Sequence, residues 1–178
     1  MKESHKGAET RLRKYTRRSS SPICSAIICM EYGTNHAMVV VLFGGAPAKN
    51  ADISPGGLAA HTSFSHMQAA KDAGVNFVNI SPVQDDVNNT VDAEWLAAIP
   101  NTDTAIMLAL AHTLVAENLH DKGFLDAYCI GFEKFLPYLV GEPDGQPKDA
   151  DWAAPICGVP ADKLRDLARR MAKSPTMI

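Results

Sequence analysis

The chain has 178 residues, 46% of them hydrophobic and 21% charged, enough to bury one substantial core and unlike a disordered or fibrous composition. A formal net charge of -3 hides an asymmetry: the first twenty residues carry seven basic side chains against Glu3 and Glu9, leaving ten basic against eighteen acidic residues in the rest. So acidic a body excludes a general nucleic-acid binder, and no apolar run approaches the roughly 18 residues of a membrane span.

Residues 1–34 form one compositional block. Arg17-Arg18 followed by serines and the apolar stretch 23–30 has the order of a twin-arginine export signal. No Phe-Leu follows the arginines and no small-x-small cleavage site is evident, which favours a basic arm, expected to be disordered, outside the fold. The compartment, cytoplasmic or periplasmic, stays open. Cys24, Cys29, Cys129 and Cys157 include no CxxC pair and no zinc-like spacing with histidine, so they are expected to be small buried hydrophobes.

The folded part is expected over residues 35–178. Met38-Val39-Val40-Val41-Leu42-Phe43 is apolar on both faces, as in a buried parallel strand, and ends at Gly44-Gly45. An extended loop over 46–61 follows. A helix is expected over 63–73, with Ser63 as its cap, Phe64, Met67 and Ala70 on one face and Gly74 at its end. Asn76-Phe77-Val78-Asn79-Ile80 is a second strand, completing a βαβ unit, and 95–99 is a third. Pro100 stops it. The clearest helix covers 105–117, capped by Thr102 or Asp103, with Ile106, Leu110, Thr113 and Leu114 at helical spacing. Shorter helices are expected over 122–128, 132–139 and 152–157, and a final amphipathic one opens at Pro160-Ala161-Asp162. Trp95 and Trp152 read as core anchors and His112 as a packing histidine.

In an open parallel sheet, ligands sit beyond the carboxyl ends of the strands. Three loops leave those ends here. Gly44, Gly45, Ala46, Pro47 and Lys49 lie in the first, where glycines without a Cβ let a phosphate or ribose approach the backbone. Ser81, Pro82, Gln84 and Asp85 form the second, with a hydroxyl, an amide and a carboxylate suited to a ribose. Asn101, Thr102 and Asp103 form the third, where Asp103 can accept two hydrogen bonds from guanine N1–H and its 2-amine, a donor pair adenine lacks. Each loop alone has a plainer reading: Gly-Gly as a turn, Thr102-Asp103 as a helix cap. The case rests on the three occurring in order at equivalent strand ends. His61 and His66 flank that edge as further candidates for ligand contact.

Asn101-Thr-Asp-Thr-Ala-Ile-Met-Leu-Ala-Leu-Ala-His, continued by Gly131-Phe132, Gly141-Glu142, Ala150-Asp151-Trp152-Ala153 and Ile156-Cys157-Gly158-Val159-Pro160, resembles the middle of the bacterial-type dimethyl sulfoxide reductase family of molybdopterin oxidoreductases. The resemblance runs from about residue 39 to 178. It implies a Rossmann-like, three-layer α/β fold present as a partial domain of a larger enzyme. The implied cofactor is molybdopterin guanine dinucleotide, carrying molybdenum in the intact enzyme, and the implied chemistry is S-oxide or N-oxide reduction. On this resemblance the three loops are the cofactor-binding residues. Ser81 and Gln84 depart from the family's commoner Asp or Asn and Arg. The family's metal ligand lies upstream of the resembling segment, so no catalytic or metal-ligating residue is assigned, and the chain is expected to be inactive alone. The missing parts of a split enzyme are the expected partners, with an exposed sheet edge, an uncovered apolar face and a further strand beginning at Ile178. The rival readings are a stand-alone guanine-nucleotide-binding module and a non-functional remnant of a split gene.

Overall fold

The computed structural model describes residues 39–47 and 63–178. The readings placed on residues 1–34, Lys49 and His61 fall outside them, as do the side chains of Ser63, Phe64 and His66. In chain order the elements are β1 (Val39–Phe43), α1 (Ser63–Asp72), β2 (Asn76–Ser81), single 3-10 turns at Gln84–Asp86 and Asn89–Val91, β3 (Glu94–Ala97), α2 (Asp103–Ala116), α3 (Lys122–Tyr128), α4 (Phe132–Val140), α5 (Ala150–Cys157), α6 (Ala161–Lys173) and β4 (Thr176–Met177). The strands form a parallel sheet in the order β3-β2-β1-β4, the α/β architecture expected. The described residues divide into two compact units: 39–47, 63–79, 85–94 and 177–178 in the first, 80–84 and 95–176 in the second.

In the first unit, Val39, Val40 and Val41 of β1 are all buried, as a strand covered on both faces requires. Val40, Met67, Ala70, Val75, Phe77, Val87 and Val91 form one core cluster, with Leu42, Ala46, Ala93 and Met177 packed at its margin. Met67 and Ala70, three apart on α1, are the residues that helical spacing aims inward. After α1 the chain reverses through Gly74, at φ 93°, and the amide of Val75 bonds the Ala70 carbonyl at 3.0 Å.

The second unit is organised around α2, which packs against α5 and α6. Ala105, Ile106, Ala109, Leu110 and Thr113 of α2 are buried, as are Ala150, Ala153 and Cys157 of α5 and Leu164, Leu167 and Ala168 of α6. Thr113 satisfies its buried hydroxyl by donating to the Ala109 carbonyl at 2.9 Å. Helix α5 begins two residues earlier than expected because Asp149 caps it, its carboxylate accepting the Trp152 amide at 2.8 Å. Helix α3 buries none of its residues; Phe124 and Tyr128 pair along it with ring centroids 5.1 Å apart.

Four expectations change. Strand β3 spans Glu94–Ala97 rather than 95–99, because the Ile99 amide bonds the Cys157 carbonyl at 2.9 Å instead of extending the strand. Trp95 is 37% exposed rather than a core anchor, its indole N–H donating to the Ser81 carbonyl at 2.8 Å. Cys129 is exposed, following a helix with no buried residue, while Cys157 is buried as expected. The last strand starts at Thr176, two residues before Ile178, and pairs beside β1.

An ion pair joins the end of α2 to α6. The guanidinium of Arg169 grips the Glu117 carboxylate with Nε at 2.9 Å from Oε2 and Nη2 at 2.7 Å from Oε1. The hydrogen bond from Arg169 holds the Glu117 carboxyl below its usual value, and the same bond raises Arg169. Glu117 binds its proton less readily when folded, so its contribution is present above the ordinary carboxylate pKa and is lost as pH falls through the lowered one. Arg169 stays charged throughout that window, which leaves the acid-side dependence to Glu117. Glu117→Gln should therefore be less stable than the parent at neutral pH, with the gap closing in acid; urea unfolding across that range measures it. Leu167→Ala, at a fully buried position, should cost about 2–5 kcal/mol in the same assay at neutral pH.

Candidate functional site

The first loop is shaped by two successive left-handed glycines, Gly44 at φ 76° and Gly45 at φ 74°. They differ in what surrounds them. A Cβ on Gly45 would lie 2.5 Å from the Asp86 carbonyl oxygen, so the backbones at 45 and 86 touch in a way only glycine permits. The Ala46 amide then donates to Asp86 O at 2.7 Å and Ala46 bridges to Val87 in parallel register, stitching the loop after β1 to the turn after β2. Among the described residues, a Cβ on Gly44 would meet nothing within 4 Å. Ala46 and Pro47 are half-buried.

The second loop departs from the reading of Ser81 as an offered hydroxyl. Ser81 is buried, and its Oγ accepts the Val83 amide at 3.2 Å, holding the turn. Its carbonyl takes the indole of Trp95. Pro82, Gln84 and Asp85 are exposed at the loop's surface, so the polar groups presented there are the amide of Gln84 and the carboxylate of Asp85.

The third loop is fixed from both sides. Asn101 takes a left-handed conformation at φ 65°, which asparagine tolerates better than most residues. Thr102 precedes α2 but does not cap it with its side chain: at φ -111° and ψ 9° it is not in the extended conformation a side-chain cap adopts, and its hydroxyl donates to the Ile99 carbonyl at 2.6 Å. Thr102 is nonetheless the N-cap residue of α2, as expected, through its carbonyl, which accepts the amides of Ala105 at 3.0 Å and Ile106 at 3.3 Å. Asp103 opens α2 with its side chain exposed, in the turn where the helix dipole favours a carboxylate. From behind, Gly158 closes α5 at φ 75°, with Ile99 packed where its Cβ would be, 3.3 Å away. The Ile99–Cys157 hydrogen bond completes that attachment.

Sequence reasoning missed three features: the Gly45–Asp86 contact, the use of Trp95 to brace the Ser81 turn, and the packing of Gly158 under Ile99. A left-handed glycine after a helix is legible in sequence; the residue packed against it is not. Among the described residues no group of three or more His, Cys, Asp or Glu could hold a metal ion, and no helix is long and apolar enough to cross a membrane. His112 is half-buried on α2.

The family model described as molybdopterin oxidoreductase matches residues 10–178. The chain belongs to the molybdopterin oxidoreductase family. Its relatives in that family are of the dimethyl sulfoxide reductase type, which uses molybdopterin guanine dinucleotide with molybdenum. This molybdopterin oxidoreductase chain is 47% identical over 119 residues to trimethylamine-N-oxide reductase 1 of Escherichia coli (strain K12), a match covering 65% of this chain and 14% of that protein. It is 44% identical over 118 residues to dimethyl sulfoxide/trimethylamine N-oxide reductase of Cereibacter sphaeroides, covering 66% and 14%. Biotin sulfoxide reductase of the same organism is 39% identical over 143 residues, covering 80% of this chain and 19% of its own. The chain thus spans 14–19% of the length of these relatives. Among solved structures, acetylene hydratase from Pelobacter acetylenicus has a TM-score of 0.55 at 22% identity, covering 86% of this chain and 21% of that one, which supports the fold.

The two glycines make a sharp comparison. Gly45→Ala should destabilise the chain by more than Gly44→Ala, because both incur the left-handed penalty of about 1–2 kcal/mol and only Gly45 also collides with the Asp86 backbone. Paired urea melts of the two variants check the order.

Proposed function

We propose that this chain is part of a molybdenum oxidoreductase of the S-oxide or N-oxide reductase type, and that its strand-end loops help to cradle one molybdopterin guanine dinucleotide. When bound in such an enzyme, the cofactor supplies two-electron chemistry with oxygen transfer at its metal; the residues described here bind and orient it. The exposed Gly44 suits a phosphate or ribose, which needs amides without an obstructing Cβ. The hydroxyl of Ser81 is committed to its own turn, so the exposed Asp85 is the better group to take ribose hydroxyls in the second loop. The names of the relatives, reductases of dimethyl sulfoxide, trimethylamine N-oxide and biotin sulfoxide, supply the substrate class of this proposal.

The observation that carries the reading is the third loop. With the Thr102 hydroxyl turned back to Ile99, Asp103 stands exposed at the head of α2. Guanine presents N1–H and its 2-amine side by side, and a carboxylate accepts both, whereas adenine offers no such donor pair. Calorimetric titration of the chain with GDP and ADP tests this. GDP should bind more tightly by about 10–100-fold, the worth of one good bidentate pair, and Asp103→Asn should abolish the preference. Equal affinity for the two nucleotides, or no heat with GDP near about 1 mM, would sink the reading.

A further inference from the structure

Between α4 and α5 the chain turns back on itself through residues 141–149. Gly141 permits this at φ 83°: a Cβ there would sit 2.4 Å from the Gln146 carbonyl carbon and the Pro147 nitrogen. The Gly145 amide bonds Gly141 O at 2.8 Å and the Lys148 amide bonds Leu139 O at 3.0 Å. Into this turn runs the side chain of Lys148, only 5% exposed. Its ammonium donates to Asp144 Oδ2 at 2.5 Å and to the Gln146 carbonyl at 2.6 Å. It also lies 5.0 Å from the ring centre of Tyr138 and 5.6 Å from that of Trp152. The proposed nucleotide loops make no use of this lysine.

A buried ammonium is tolerated only where acceptors replace its water. Here every element of recognition belongs to other residues: a carboxylate, a carbonyl and two aromatic faces. Two of them are hydrogen-bond acceptors, which suit a primary ammonium with three N–H groups and give nothing to a quaternary one. The rings add cation–π attraction. The Lys148 hydrogen bond, helped by the Gln146 amide, also holds the Asp144 carboxyl below its usual value, keeping the acceptor charged.

We propose that the turn between α4 and α5 is a cation site occupied by the chain's own Lys148, a tethered ligand that locks residues 141–149 closed and that a free primary alkylammonium can replace when the lysine is cut back. The lock has a reach beyond the turn. It fixes how the chain enters α5, and the far end of α5 holds Ile99 through the Cys157 carbonyl, immediately before Asn101-Thr102-Asp103.

Thermal unfolding of the full chain tests the proposal. Lys148→Met, which keeps the bulk and removes the charge, and Lys148→Ala should each lower Tm by about 4–8 °C, the loss expected for charged hydrogen bonds in a chain of this size. Propylammonium, which replaces the atoms removed by Lys148→Ala, should restore most of that variant's Tm saturably and leave the parent and Lys148→Met unmoved. Tetramethylammonium and sodium chloride should not. Lys148→Met as stable as the parent, or equal rescue by tetramethylammonium, overturns the idea. Should Lys148→Ala fail to fold, Asp144→Asn decides: it should lower Tm and open the Lys148–Asp149 bond to trypsin, a cleavage followed by mass spectrometry, and an unchanged Tm with an uncut bond overturns the lock.

Discussion

Small side chains where α2 meets α5 and α6 are the constraint on which the second unit depends. Ala105 and Ala109 on α2, Ala150 and Ala153 on α5 and Ala168 on α6 are all buried in these three mutually packed helices, together with Ile106, Leu110, Leu164 and Leu167, and small buried side chains let packed helices approach closely. The consequence is felt outside the core, because α5 ends at Gly158 and its last carbonyl holds the Ile99 amide. Helix packing therefore sets the position of the loop that opens α2. The Arg169–Glu117 pair closes the same helices from the solvent side.

The strand-end loops share a second physical theme: their polar groups are satisfied first by their own chain, and only what is left over can serve a ligand. Ser81 Oγ is taken by the Val83 amide, Thr102 Oγ1 by the Ile99 carbonyl, and the Ala46 amide by Asp86. These internal bonds replace a flexible loop with a fixed one. Among the described loop residues, Gly44, Gln84, Asp85, Asn101 and Asp103 stay exposed. Taken one by one, these groups have the chemistry that the proposed reading calls on for phosphate, ribose and guanine. They suit membership of a family that works through a guanine dinucleotide.

Much of this was legible in the residues. The run Val39-Val40-Val41 read as a strand buried on both faces, β-branched and with no polar residue to mark a wet side. Met67 and Ala70, and Leu164, Leu167 and Ala168, announced their helices through spacing that puts them on one face. Glycine and proline marked the ends, and the Asn101-Thr102-Asp103 stretch pointed to the family before any coordinates did. Local chemistry decides such features, because the interactions concerned lie within four residues along the chain.

What the sequence by itself determined, then, was most of the order of strands and helices and the resemblance that the family match establishes. The tertiary structure alone decided which of the candidate groups remain available. Ser81 is buried with its hydroxyl accepting the Val83 amide, and the Thr102 hydroxyl donates to the Ile99 carbonyl. Periodicity and motif name the residues that could act, but a hydrogen bond or ring contact depends on distance and angle in space. Those are set by how helices of particular bulk pack, which the order of letters does not display.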